Sequence, residues 1–247
     1  MKSILFGATR GMGRALARQL AARGDRLFLL GRDGGELART AADLDFRAAT
    51  AVVAGTAPCD LSAPEGFEAA LASAWAALGQ VDAVVVTAAL FGTQDRLEAD
   101  RDLTRRLLEA NFSGTVLFCE AARERLLAQP GGGTLCVFSS VAGDRGRKPV
   151  ALYGASKAGL SHYLESLDHR FHGRGLRVVC VKPGFVRTGM TDGLPAPPFA
   201  GEADAVARQV VRALDRGTPV VYAPPAWRWV MAVVRRLPRF VMRRVGF

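Results

Sequence analysis

The chain has 247 residues, 49% hydrophobic and 23% charged, which excludes a disordered chain and supplies material for a large core. Basic residues exceed acidic ones, 33 to 23, for a formal charge of +10. The excess sits at one end. No acidic residue follows Asp215, while seven arginines do (Arg216, Arg228, Arg235, Arg236, Arg239, Arg243, Arg244), so a nearly balanced body carries a cationic end. The four cysteines, Cys59, Cys119, Cys136 and Cys180, form no CxxC pair, and the three histidines fall in one helical stretch without HExxH spacing. No metal site is expected. Met1–Lys2 leads straight into a strand-like run, and no uncharged run approaches the roughly 20 residues of a spanning helix. The expectation is a cytoplasmic protein without a signal peptide.

Short apolar runs alternate with longer helical patterns. Ile4–Phe6 reads as a strand, Gly11–Arg23 as a helix with Met12, Leu16 and Leu20 at helical spacing, and Arg26–Leu30 as the second strand. A third strand lies within Ala51–Pro58, followed by a helix over Pro64–Leu78. Val81–Thr87 is a β-branched strand, Leu103–Leu127 one long helix and Thr134–Phe138 the fifth strand. Leu152–His172 is helical, Leu176–Lys182 a strand, Glu202–Arg216 a helix and Pro219–Tyr222 the last strand. Such alternation predicts parallel strands joined by right-handed crossovers. The continuously apolar strands predict a sheet covered on both faces. The fold class is therefore α/β, a single doubly wound three-layer sheet over residues 1–225, with a basic amphipathic appendage over 226–247.

The first strand runs into Gly7-Ala8-Thr9-Arg10-Gly11-Met12-Gly13. GxGxxG fails here, because Leu16 stands where the third glycine would be. The spacing is GxxxGxG, yet the physical need is the same: a sharp turn that brings backbone N–H groups and a helix N-terminus to a pyrophosphate. The second strand ends in Leu30-Gly31-Arg32-Asp33. Arg10 and Arg32 are placed to grip a 2′-phosphate, which favours NADP(H). An inward-turned Asp33 would instead serve the 2′-hydroxyl of NAD.

Tyr153-Gly154-Ala155-Ser156-Lys157 puts a phenol and an ammonium one helical turn apart on one face. A nearby cation lowers a phenol's pKa and makes it usable as an acid or base. Ser140, 13 residues upstream at the end of a strand, could hold a substrate oxygen opposite the phenol. Asn111 falls inside a helix, where asparagine is disfavoured.

GxxxGxG, Asn111, Ser140 and Tyr153-x-x-x-Lys157, with Cys59-Asp60-Leu61, Pro183-Gly184 and Thr188, resemble the short-chain dehydrogenase/reductase family over residues 3 to about 222. The resemblance implies a ketone/secondary-alcohol oxidoreductase, a homodimer or homotetramer, in which Tyr153 is the general acid. It further implies that Lys157 lowers the Tyr153 pKa and holds the nicotinamide ribose, and that Ser140 orients the carbonyl. Asn111 would hold a water beside Lys157. Gly7, Thr9, Arg10, Gly11, Met12, Gly13, Arg32, Asp60, Leu61, Ala88, Pro183, Gly184, Val186 and Thr188 would surround the cofactor, with Asp60 at the adenine and Thr188 at the nicotinamide amide. Ser139 is one residue too far from Tyr153. Where the family has Asn-Asn-Ala-Gly after the fourth strand, this chain has Val86-Thr87-Ala88-Ala89, and the side chains that tie that strand to its neighbours are expected to be missing.

From Trp227 the chain reads WRWVMAVVRRLPRFVMRRVGF. On a helical wheel Trp227, Trp229, Val230, Met231, Val233, Val234 and Leu237 span one arc, Arg228, Arg235 and Arg236 the other, and Pro238 ends the helix. A basic, tryptophan-bearing amphipathic segment suits an anionic membrane surface. The other reading is a helix packed on the fold or on a subunit partner. Nucleic acid is not expected, since the basic residues are interleaved with large aliphatics. Together with Met190-Thr191, Pro195-Ala196-Pro197 and Arg212-Ala213-Leu214, the tail resembles the decaprenylphosphoryl-2-keto-ribose reductases, which act on a keto-sugar carried by a polyprenyl phosphate. That implies an amphiphilic or lipid-linked carbonyl substrate met at the inner face of a membrane.

Overall fold

The computed structural model describes residues 1–245; the last two residues of the basic segment lie outside the described residues. Strands β1 (Lys2–Phe6), β2 (Arg26–Gly31), β3 (Val53–Pro58), β4 (Ala83–Val86), β5 (Gly133–Phe138) and β6 (Leu176–Pro183) alternate with helices α1 (Gly11–Ala22), α2 (Gly34–Ala48), α3 (Phe67–Leu78), α4 (Gln94–Ala99), α5 (Arg101–Leu108), α6 (Thr115–Ala128) and α7 (Ala151–Phe171). The short strands β7 (Val186–Arg187) and β8 (Gly201–Glu202) pair with each other. Helix α8 (Ala203–Arg216), strand β9 (Val220–Ala223), and helices α9 (Ala226–Val234) and α10 (Arg239–Met242) follow. The main sheet is parallel throughout, in the order β3-β2-β1-β4-β5-β6-β9.

Successive strand residues point to opposite faces, and β1 is apolar on both. Ile4 and Phe6 join the core under α3, α6 and α7, with Leu71, Phe118 and Leu160. Leu5 joins the core under α1, α2 and α8, with Leu16, Leu37 and Val210. Each fully buried side chain of this kind contributes about 1.5–3 kcal/mol. The ring of Phe118 meets Phe6 and Phe67 edge-on, at 4.9 and 5.3 Å, and locks α3 and α6 to the sheet.

Three differences from the expected elements bear on function. The sequence pattern left 34–48 without an element; there α2 is capped by Asp33, whose side chain accepts from the Glu36 N–H at 3.0 Å. The expected long helix over 103–127 is α5 and α6 joined by a π-turn, Glu109–Gly114, around Asn111. The basic segment does not stand off as an appendage. Trp227, Met231 and Val234 are buried against Val141, beside Phe185 and Tyr222. Those three, with Val230 beside them, are spent on protein contacts, while Trp229 and Val233 of the same arc stay outside, 73% and 63% exposed. No helix among the described residues is long and apolar enough to cross a membrane.

Candidate active site

The strand order reverses between β1 and β4, and a cavity of about 470 Å³ opens there at the carboxyl ends of the strands. Helix α1 starts at its floor with an extended Arg10, no side-chain cap and no acid in its first turn, so its leading N–H groups are free for an anion. Gly7 takes φ +100°, and a Cβ on Gly13 would lie 2.1 Å from the Gly7 carbonyl oxygen. The backbone layers are therefore closer than any side chain permits. Thr87 Oγ1 lies 3.1 Å from both the Phe6 and Gly7 carbonyl oxygens and donates to them. This corrects the expectation that the tie between β4 and the glycine turn is missing: a threonine supplies it.

Of the expected cofactor residues, Gly7, Thr9, Arg10, Gly11, Met12, Gly13, Arg32, Asp60, Leu61, Ala88 and Thr188 line this cavity. Asp33 does not; the Glu36 N–H that it caps holds its carboxyl below the usual range. A glycine cradle, an uncapped helix start and two arginines fit a dinucleotide with a phosphorylated ribose. Pro183, Gly184 and Val186 sit elsewhere. Val186 is buried in the core under α8. A Cβ on Gly184 would meet the Trp227 indole at 2.1 Å, so this glycine makes room for the tail helix. Sequence reasoning missed Gly31, Leu90, Phe91 and Gly189 on the cavity wall.

Ser140 caps the start of the turn after β5, where its Oγ accepts from Ala142 N–H at 3.1 Å and donates to the Pro183 carbonyl at 3.5 Å. Ser139 faces α7, donating to the Lys157 carbonyl at 2.9 Å. Tyr153 packs edge-on against Phe91 at 5.1 Å. Burial pushes its phenol up to about 12, with the Ser140 hydroxyl beside it pulling the other way. The lowering expected from Lys157 does not appear: only the Ser140 hydroxyl pulls the phenol down. Lys157 is itself buried and held down to about 8 by that burial. Its Nζ lies 5.9 Å from the Tyr153 ring centre and donates to the Phe138 carbonyl at 2.9 Å.

The Asn111 side chain is engaged with the segment after β4. Its Oδ1 accepts from Leu90 N–H and its Nδ2 donates to the Leu90 carbonyl, both at 2.7 Å. It straps the segment after β4 into the cavity wall. Behind Ser140, Asp144 accepts from Lys182 at 2.6 Å and from Tyr222 at 2.7 Å. Arg145 donates to the Leu237 carbonyl and Lys148 to the Arg243 carbonyl. The tail thus braces the loop that follows the serine.

Residues 3–197 match the sequence profile of the short chain dehydrogenases. The chain belongs to the short-chain dehydrogenase family. It is 36% identical to an uncharacterized oxidoreductase of Mycobacterium tuberculosis, over 98% of this chain and 96% of that one. It is 32% identical to carbonyl reductase family member 4 of Danio rerio, over 78% of each. A short-chain dehydrogenase from Sphingobium yanoikuyae, solved with NADPH, shares the fold at a TM-score of 0.81 and 24% identity, covering 99% of this chain and 96% of that one. As a member of the short-chain dehydrogenase family, the chain is an NAD(P)-dependent oxidoreductase interconverting CH–OH and C=O.

Proposed function

We propose that this short-chain dehydrogenase uses NADPH to reduce a ketone to a secondary alcohol, and that the ketone belongs to a membrane-associated amphiphile such as a polyprenylphosphoryl keto-sugar or a lipid ketone. The observation that carries the reduction is the buried phenol of Tyr153 beside Ser140, held fully protonated at neutral pH. When bound, the nicotinamide supplies a hydride to the carbonyl carbon. Tyr153 donates the proton that the carbonyl oxygen needs, and Ser140 holds that oxygen in place. The Lys157 ammonium would favour the negative charge left on the phenol and would hold the nicotinamide ribose of a bound cofactor. Asn111 acts as a positioning residue through Leu90. Arg10 and Arg32, both on the cavity wall, support NADPH over NADH.

The amphiphile is supported by the substrate side of the cleft. Met190 is exposed on the cavity wall, and further along the same loop the Trp227 indole N–H donates to the carbonyl of the exposed Phe199 at 3.0 Å, tying that loop to helix α9. Catalysis is assigned to residues 1–225, with the basic segment bracing the loop after Ser140. A homo-oligomer is supported by two exposed apolar side chains, Phe112 against α7 and Leu117 on α6.

The test is NADPH oxidation by the full chain over lipid ketones in vesicles, small ketones and keto-acyl thioesters. Turnover should fall about 10²–10⁴-fold in Tyr153→Phe, with NADPH binding kept. Undiminished turnover in Tyr153→Phe overturns the mechanism. Turnover confined to the small ketones or thioesters removes the amphiphile.

A further inference from the structure

A groove of about 840 Å³ runs along the outer edge of β9, between α8 and α9, on the side of α9 away from Trp227. Five arginines line it: Arg212 and Arg216 from α8, and Arg228, Arg235 and Arg236 from α9 and the turn after it. The lining contains no acid. None of the five guanidiniums forms an ion pair among the described residues. Two acids that adjoin lining residues, Asp215 next to Arg216 and Asp144 at Tyr222, are engaged elsewhere. Asp215 on α8 is bound to Arg23 at 2.7 Å, and Asp144 is held by Lys182 and by the Tyr222 phenol. Folding has thus gathered five cations around one concavity without counter-charges among the described residues, which concentrates positive potential there.

The groove has an apolar companion. Trp229 forms part of its wall, and Val233, one turn further on, is also exposed. Phe240 is exposed on α10 beside Arg239, with Arg243 and Arg244 just after that helix. Arginines that fit phosphate, alternating with a tryptophan and aliphatics that prefer the boundary between water and acyl chains, make a membrane-interface pattern. A soluble phosphate ligand would use the guanidiniums and leave the apolar residues without a role.

We propose that this groove docks the enzyme on an anionic membrane, its arginines on lipid phosphates and Trp229 and Val233 in the interface. The inference does not depend on which ketone is reduced. The opposite face of α9 packs on Val141, next to Ser140, so docking would hold the reductive site about one helix diameter, roughly 10–12 Å, from the lipid surface.

The test is co-sedimentation of the full chain with vesicles of phosphatidylcholine alone and of phosphatidylcholine mixed with phosphatidylglycerol. Binding is expected only to the mixed vesicles, and is expected to weaken with salt. The combined Arg228→Gln, Arg235→Gln, Arg236→Gln variant should bind about tenfold or more weaker, and Trp229→Ala should also bind more weakly. All four positions are exposed, so circular dichroism and NADPH turnover of a water-soluble ketone should match the unaltered protein. Equal binding to neutral vesicles, or no binding to either kind, overturns the proposal. So does tight binding of pyrophosphate that Arg228→Gln abolishes while vesicle binding stays absent. A gain of self-association in the mixed vesicles' place, read by sedimentation velocity, assigns the face to a second copy and overturns it as well.

Discussion

Two buried residues set opposite pH responses for stability and for chemistry. Lys157 keeps its proton less tightly in the fold than in the unfolded chain, about 8 against 10.5. Between those values the unfolded state binds more protons, so the stability that depends on this residue rises with pH. Tyr153 is shifted the other way, from 10.0 to about 12, so above pH 10 its contribution falls. Denaturant midpoints of the unliganded protein, taken relative to Lys157→Met, should climb from pH 8 to 10; a flat difference would show that the ammonium is not buried. Carbonyl reduction should do the reverse, staying level to about pH 8 and declining above it as Lys157 loses its charge. Alcohol oxidation, which needs the phenolate, should rise with pH. A second prediction concerns Arg32. A charge-assisted contact is worth about 1.5–3 kcal/mol, so Arg32→Ala should weaken NADPH by about 10–100-fold and leave NADH affinity nearly unchanged. Isothermal titration with both dinucleotides measures this, and equal losses for the two would place Arg32 away from the 2′-phosphate. At this scale the sequence was legible where a residue's type is its function: a glycine turn, a phenol one turn from an ammonium. Thr87 was not, because a hydroxyl that ties two backbones looks like any strand-end threonine until the strands are paired.

At the scale of elements, α9 shows how a small residue fixes a distant helix. Gly184 leaves the space that the Trp227 indole fills, and Trp227 in turn bonds the loop before β8. Gly184→Ala should therefore expel the indole, lower the melting temperature and expose α9 to proteolysis, and adding Trp227→Ala should restore part of the loss by removing the clash. If Gly184→Ala alone is silent, the helix is not seated by this contact. The sheet strands were readable because they are continuous apolar runs. Helix α2 was missed: Asp33 caps it, but Gly34-Gly35 sits at its start and only Leu37, Thr40 and Leu44 are buried, too sparse a stripe to stand out. The π-turn was hidden inside one helical pattern, with Asn111 as its only sign. The tail was recognised as amphipathic, but the wheel could not tell an arc that packs on protein from one that meets lipid, since both are apolar.

At the scale of the whole molecule, the imbalance of charge follows the order of the chain: a nearly neutral body, then arginines that the fold gathers beside the last strand. Strand β9 pairs with β6 on one side only, which leaves the other side's main-chain N–H and C=O groups free to join a foreign strand. Any second copy that approached this edge in register would bring five arginines against five. The same cations therefore act as a guard against edge-to-edge polymerisation, and the guard works only while it stays uncompensated. Light scattering should stay low at modest ionic strength and rise when heparin neutralises the groove. A protein protected in this way is most prone to precipitate when its charge is quenched, so high salt, the usual remedy for a basic protein that sticks, would here shorten its life in solution.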